Sequence, residues 1–145
     1  MEEEKHIPAQ EAPVAEAATQ RVSKKVKKRH VSAGQVHVKS TFNNTIVVVT
    51  DKTGAVLTSS SAGANGFRGS KKGTAYAAGV AAEKAIEKAK TAHGLSSAEV
   101  YIHGIGLGRD AAIRALSSFS ISIESITDKT ALPHGGVRPK GERNM

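Results

Sequence analysis

"QVHVKSTFNNTIVVVTDKTGAVLTSSS", residues 35–61, decides the fold. Its first six residues, Gln35 to Ser40, alternate polar and apolar, the period of a strand with one face buried. Phe42 to Thr45 (FNNT) supplies turn chemistry, because short amide side chains bond nearby backbone. Ile46 to Asp51 (IVVVTD) is a β-branched run too apolar for a wet face, which predicts a central strand. Asp51 to Gly54 (DKTG) is a second turn, and Ala55 to Ser61 (AVLTSSS) a third strand. Strands joined by turns this short form an antiparallel meander.

Downstream the period changes. From Thr74 to about His93, with Gly94 as the stop, small residues recur at helical spacing. Ala75, Ala78, Ala82, Ala85, Ile86 and Ala89 form one stripe that lets a helix sit close against a sheet. Glu83, Lys84, Glu87, Lys88 and Lys90 face away, with like and opposite charges offsetting one another, as on a solvated face. Glu99 to Gly104 (EVYIHG) reads as a fourth strand. Asp110 to Phe119 reads as a second helix with Ile113 and Leu116 inward, and Ile121 to Thr127 (ISIESIT) as a fifth strand. Three strands, helix, strand, helix, strand predict a mixed five-stranded sheet with helical cover, an α/β layered domain over residues 34–128.

The flanks differ in kind. Residues 1–20 mix Glu, Ala, Pro and Gln and are expected to be a disordered acidic extension. A basic arm follows over 21–33, with Lys24, Lys25, Lys27, Lys28 and Arg29 as candidate nucleic-acid contacts; a purely solubilising run is the alternative. Residues 129–145 carry Pro and Gly too densely for regular structure and are expected to form an extended tail.

The chain has 145 residues, with 21 Lys and Arg against 13 Asp and Glu, for a net charge of +8. The acidic first 20 residues hold five Glu and one Lys, so the excess on the remainder is larger still. Such an excess favours a polyanionic partner, nucleic acid before membrane. There is no cysteine, which removes disulfides, thiolate zinc sites and thiol nucleophiles together. No stretch approaches the roughly 20 apolar residues of a membrane span. Acids follow Met1 where a secretory signal would carry cations and then apolar residues. Aromatics are only 3%, so a bound RNA is expected to be held by its backbone rather than by stacked bases.

Candidate sites concentrate at glycines. Ser59 to Tyr76 (SSSAGANGFRGSKKGTAY) holds Gly63, Gly66, Gly69 and Gly73 with Arg68, Lys71 and Lys72, no acid, and a helix at its end. Free amides, the helix dipole and full charges there all favour an anion, and the phosphates of RNA suit it best. A mononucleotide and a merely flexible loop are the alternatives. A P-loop is excluded, since the chain contains no Gly-Lys pair. Tyr101 to Asp110 (YIHGIGLGRD) suggests a dinucleotide turn, but its glycines are spaced G-x-G-x-G rather than G-x-G-x-x-G. Arg109 and Arg114 then read as a second phosphate contact, or as solvated residues beside a tight turn. Asn43 and Asn44 suit either RNA sugars and phosphates or hairpin capping. The histidines show no short ligand spacing, no carboxylate pair is evident, and no G-x-S-x-G elbow occurs. Neither a cofactor, nor a small-molecule substrate, nor a metal, nor catalysis is expected.

"VHVKSTFNNTIV", "GANGFRGSKKGTAYAAGVAAEKA", "GLGRDAAIRAL", "ITDKTALPHGG" and "VRP" together resemble one family, in order from about Gly34 to Pro139. It is the universal small-subunit ribosomal protein of the platform, eleventh in the bacterial series. The resemblance implies a ribonuclease H-like α/β/α fold and a cytoplasmic, non-enzymatic role. The implied partners are 16S-type rRNA and neighbouring platform and head proteins, with messenger RNA nearby. It implies rRNA contacts at Asn43, Asn44, Phe67, Arg68, Gly69, Ser70, Lys71, Lys72, Arg109 and Arg114. In the tail they continue at Pro133, His134, Arg138 and Pro139, with Lys140 beside them. A nuclease of that fold would place a carboxylate in the first strand, and Gln35 to Ser40 contains none. The chain departs from the family pattern at Gly104 to Arg109 (GIGLGR), where prolines are usual. It departs also at His134 to Pro139 (HGGVRP), where His-Asn-Gly-Cys-Arg-Pro is usual, and in the weakly basic ending GERNM.

Overall fold

The computed structural model describes residues 29–141; the expected acidic extension, Lys24, Lys25, Lys27 and Lys28 of the basic arm, and residues 142–145 lie outside it. The meander appears as β1 (Ala33–Ser40), β2 (Thr45–Asp51) and β3 (Val56–Ser61). A one-turn 3-10 helix (Gly69–Gly73) leads into α1 (Ala75–His93). Then come β4 (Ser97–His103), α2 (Gly108–Ser118) and β5 (Ser122–Asp128). The five strands form one sheet in the order β3-β2-β1-β4-β5. β1 pairs antiparallel with β2 and parallel with β4; β2 pairs antiparallel with β3, and β4 parallel with β5. This is the mixed five-stranded α/β architecture that the sequence predicts.

Both crossovers, β3 to β4 and β4 to β5, advance in the same direction across the sheet. Right-handed connections therefore bring α1 and α2 to the same face. The core lies there. Val36 is in register with Val49 and Val100, and Val38 with Val47 and Ile102. These side chains meet Ala82, Ala85, Ile86 and Ala89 of α1, and Ala112, Ala115 and Leu116 of α2. Alanine rather than leucine on α1 keeps helix and sheet close. The Thr58 hydroxyl of β3 can consequently donate to the Ala85 carbonyl at 2.9 Å.

The helix ends follow their local chemistry. Thr74 caps α1, its hydroxyl accepting from the Ala77 N–H at 3.3 Å, and Gly94 closes it in the left-handed region at φ 73°. The buried arc of α1 differs from the expected stripe. Ala77 and Ala81 are fully buried, whereas Ala75 is exposed. α1 packs against α2 as well as the sheet, so its dry surface is wider than one helical row.

β2 needs a second correction. It is an interior strand, but its two faces are not both dry: Ile46 is 39% exposed and Val48 half-buried. Their face of the sheet lies opposite the helices. The run's apolarity could not reveal this, because the helical layer is assigned by the handedness of connections further along the chain.

Gly79 sits inside α1 with no atom within 4 Å of where a Cβ would stand. Gly79→Ala is expected to stabilise the fold by about 0.5–1 kcal/mol through helix propensity alone. A raised urea midpoint checks this; a lowered one would mean that the space is not open.

Candidate nucleic-acid interface

Parallel strands collect their outgoing loops at one end of a sheet, which is where α/β folds usually place ligands. Here β1, β3, β4 and β5 all finish at that end, and antiparallel β2 begins there. Four connections converge on it: the 41–44 turn, the glycine-rich loop 62–73, the 104–107 loop and the tail from Lys129.

Close backbone packing knits them together. A Cβ on Gly73 would lie 2.0 Å from the Phe42 carbonyl oxygen, and one on Gly104 2.1 Å from that of Ser40. Gly106 would meet the Thr41 oxygen at 2.3 Å, and Gly108 the Thr45 hydroxyl at 2.3 Å. No other residue fits such approaches. Hydrogen bonds complete the junction. The Gly106 N–H donates to the Ser40 carbonyl at 3.1 Å, and the Gly108 N–H to the Ser40 hydroxyl at 3.1 Å. The Ser40 and Thr45 hydroxyls are themselves 3.3 Å apart, and both residues are fully buried.

This junction changes the reading of the G-x-G-x-G segment. Gly106 and Gly108 direct their amides at Ser40 rather than outward, so the glycines serve contact with the β1–β2 turn. Arg109 is likewise engaged within the fold. Its guanidinium donates to the Gly104 carbonyl at 3.1 Å and forms an ion pair with Asp128 at the end of β5. Asp128 also accepts from the Thr130 hydroxyl and the Thr130 N–H (2.5 and 2.9 Å). The Thr130 bonds, foremost, and the Arg109 guanidinium hold its carboxyl below the usual range. Arg114 stands apart from Arg109, exposed on α2.

The 62–73 loop keeps its charge outside and engages part of its backbone. The N–H groups of Ala62, Asn65, Gly66, Phe67, Lys71 and Thr74 all donate to carbonyls within the protein. An anion here would meet these side chains together with the remaining amides of the loop. Arg68 donates from one nitrogen to the Gly63 and Phe67 carbonyls (2.8 and 3.2 Å), which fixes the guanidinium while its other nitrogens stay outside. Gly69, Ser70 and Lys71 are exposed, and Lys72 is half-buried with its stem against Gly63. Phe67 packs edge-on against Tyr76, ring centroids 5.9 Å apart.

In the neighbouring turn, Thr41 does the capping: its hydroxyl donates to the Asn44 carbonyl and accepts from the Asn44 N–H (3.0 and 3.1 Å). The Asn43 side chain is exposed, and the buried Oδ1 of Asn44 has no donor among the described residues. In the tail, Pro133, His134, Arg138, Pro139 and Lys140 are exposed and irregular. Arg29 is at the opposite end of the sheet, where the His93 ring Nδ1 lies 2.7 Å from its carbonyl oxygen.

Sequence reasoning missed the far face of the sheet. His37 of β1 and Tyr101 of β4 stack there at 5.2 Å, and the Lys129 ammonium lies 4.1 Å from the Tyr101 centroid. Tyr101 donates to Glu99 at 2.9 Å, and Gln35 donates to the same carboxylate oxygen. Strand alternation put His37 and Tyr101 on outward faces; only the parallel register sets them side by side.

The fold and these loops define an α/β binding module with one cationic end. Among the described residues no group of three His, Asp or Glu could hold a metal ion. Residues 34–144 match the family model of Ribosomal protein S11, and the chain belongs to that family. It is a structural protein of the small subunit in the cytoplasmic ribosome, not an enzyme, and its partners are rRNA and other ribosomal proteins.

Two outcomes test this geometry. Gly106→Ala is expected to cost about 1–3 kcal/mol by overpacking the junction, visible in chemical denaturation. Burial foremost, then His103 and Lys129, lowers the His37 pKa below its ordinary 6.5. Proton uptake is then greater in the unfolded chain, so stability falls as pH drops below 6.5. Imidazole titration by NMR should place His37 under 6.5, and closer to it once Lys129→Ala removes one of the repelling charges.

Proposed function

We propose that the chain binds small-subunit rRNA on the platform, near the messenger exit region, through the carboxyl-end loops of its sheet. The observation that carries this reading is the junction of Gly73 with the Phe42–Asn43 backbone. It joins the loop bearing Arg68, Lys71 and Lys72 to the turn bearing Asn43 and Asn44. Cations for phosphate and amides for sugar are thus on adjoining rigid segments, the combination that positions a protein on folded RNA.

Each side chain has a role in this reading. Arg68 and Lys71 neutralise phosphates, while Lys72 does so with a packed stem. Phe67, Gly69 and Ser70 form the surface between them. The exposed Asn43 amide takes a ribose hydroxyl or a base amino group, with Asn44 beside it in the turn. Arg109 acts indirectly, because its guanidinium locks the 104–107 loop to Asp128. Arg114 contacts RNA only at the margin of the site. Pro133, His134, Arg138, Pro139 and Lys140 run along the RNA as an extended strand. Arg29, at the other end of the sheet, forms a second contact, and Lys24, Lys25, Lys27 and Lys28 add their charges to it. Platform and head proteins adjoin this surface, with messenger RNA nearby.

The test is a salt titration of rRNA affinity. Replacing Arg68, Lys71 and Lys72 with Ala should weaken binding and flatten the log–log salt slope by about 0.7–0.9 for each phosphate left without its cation. Replacing Lys84 and Lys88, exposed on α1, should leave the slope as it was. An unaltered slope in the loop variant would remove this loop from the interface.

A further inference from the structure

Between α1 and α2 runs a groove of about 410 Å³. Tyr76 and Leu107 line it as large apolar side chains exposed to 74% and 72%, and its remaining walls are mostly small. Gly79 lies along it. A glycine inside a helix weakens that helix, and no atom of the folded chain uses the space left by the missing Cβ. Such a vacancy suits the close approach of something from outside.

The charges say what kind of thing. The groove carries Glu83, Asp110 and Arg114. The one ion pair among the described residues joins Arg109 to Asp128, so neither carboxylate of the groove is in contact with a cation, although Arg114 stands one turn from Asp110. Asp110 has a local reason for its place, in the first turn of α2 where the helix dipole favours an acid. Glu83 lies more than two turns into α1, beyond the reach of that dipole, at the edge where the solvated face of α1 meets the groove. On a chain of net charge +8, a groove with two acids against one cation, beside exposed apolar side chains, disfavours RNA phosphates and favours a cationic polypeptide.

We propose that this groove seats a basic polypeptide segment of a neighbouring protein. An apolar side chain of that segment lodges between Tyr76 and Leu107 over Gly79, while its Lys or Arg residues face Glu83 and Asp110. Arg114 at the margin donates to the segment's backbone carbonyls. The groove lies on the helical side and adjoins the rRNA interface along one edge, where Phe67 packs on Tyr76 and Arg114 stands between the two surfaces. The proposal takes the small subunit as the source of the partner, from the family; of the groove's residues only Arg114 is also an rRNA contact in the reading above.

Purified small subunits containing the full chain with benzoylphenylalanine in place of Tyr76 provide the test. Irradiation should give a crosslink to one protein, mapping to a peptide with Lys or Arg beside an apolar residue; the same probe at Lys88 should not give that crosslink. Gly79→Leu fills the groove and should cut the yield about tenfold, the equivalent of about 1.4 kcal/mol of binding. A crosslink to RNA or to an acidic segment, no crosslink from a chain that has entered subunits, or an undiminished yield in Gly79→Leu would each overturn the proposal. On the free full chain, a synthetic Lys-Leu-Lys-Leu-Arg peptide should shift the NMR amide signals of Gly79 and Glu83 ahead of those of Glu87 and Glu124. Shifts elsewhere, or none, would also overturn it. Failure to enter subunits would count against the rRNA reading alone, and the peptide titration would still decide the groove.

Discussion

The buried hydroxyl of Ser40 is the pin on which the working end of the molecule turns. It lies at the last residue of β1, accepts from Gly108 at the start of α2, and meets the Thr45 hydroxyl at the first residue of β2. Around it, Gly73, Gly104, Gly106 and Gly108 press so closely on the β1–β2 turn that a single added carbon on any of them would collide. A polar pair inside an apolar core is tolerated only when its bonds are made. Here those bonds fix where two loops leave the sheet. The cationic loop is held by the same turn, so its charges inherit a rigid base.

Much of this was legible in the sequence, for identifiable reasons. Alternation in Gln35 to Ser40, the β-branched run that follows, and the Thr74 and Gly94 caps are local signals, and local signals carry through when tertiary packing agrees with them. The failures share a different cause. The wet side of Ile46 and Val48 depends on which face the crossovers cover. The engagement of Arg109 depends on Asp128, a partner 19 residues away brought close by parallel pairing of β4 and β5. The glycines of GIGLGR left a phosphate contact and a tight turn both open, because flexible backbone and tight packing call for the same residue. Only the position of Ser40 tells the two apart.

The charges are unmixed at one end only. The carboxyl-end loop from Ser59 to Tyr76 carries cations and no acid, while on α1 and α2 Glu83, Glu87 and Asp110 are interspersed with Lys and Arg. The far face of the sheet is mixed: the His37–Tyr101 stack and Lys129 sit beside Glu99, which is already occupied by Tyr101 and Gln35. A net charge alone would suggest a uniformly sticky particle. The arrangement instead gives one end a strong preference for polyanions and leaves other sides free for different company.

Consider finally where the described chain comes in and where it goes out. The Val31 N–H donates to the His93 carbonyl at 2.7 Å, fastening the incoming strand to the far end of α1. The Lys129 N–H donates to the Ile102 carbonyl at 2.8 Å, fastening the outgoing segment at the opposite end of the sheet. Strands of seven or eight residues separate the two fastenings by about 25 Å. The domain is therefore a strut with a tether at each tip, and two things gripped by those tethers would be held at a distance set by the length of the sheet.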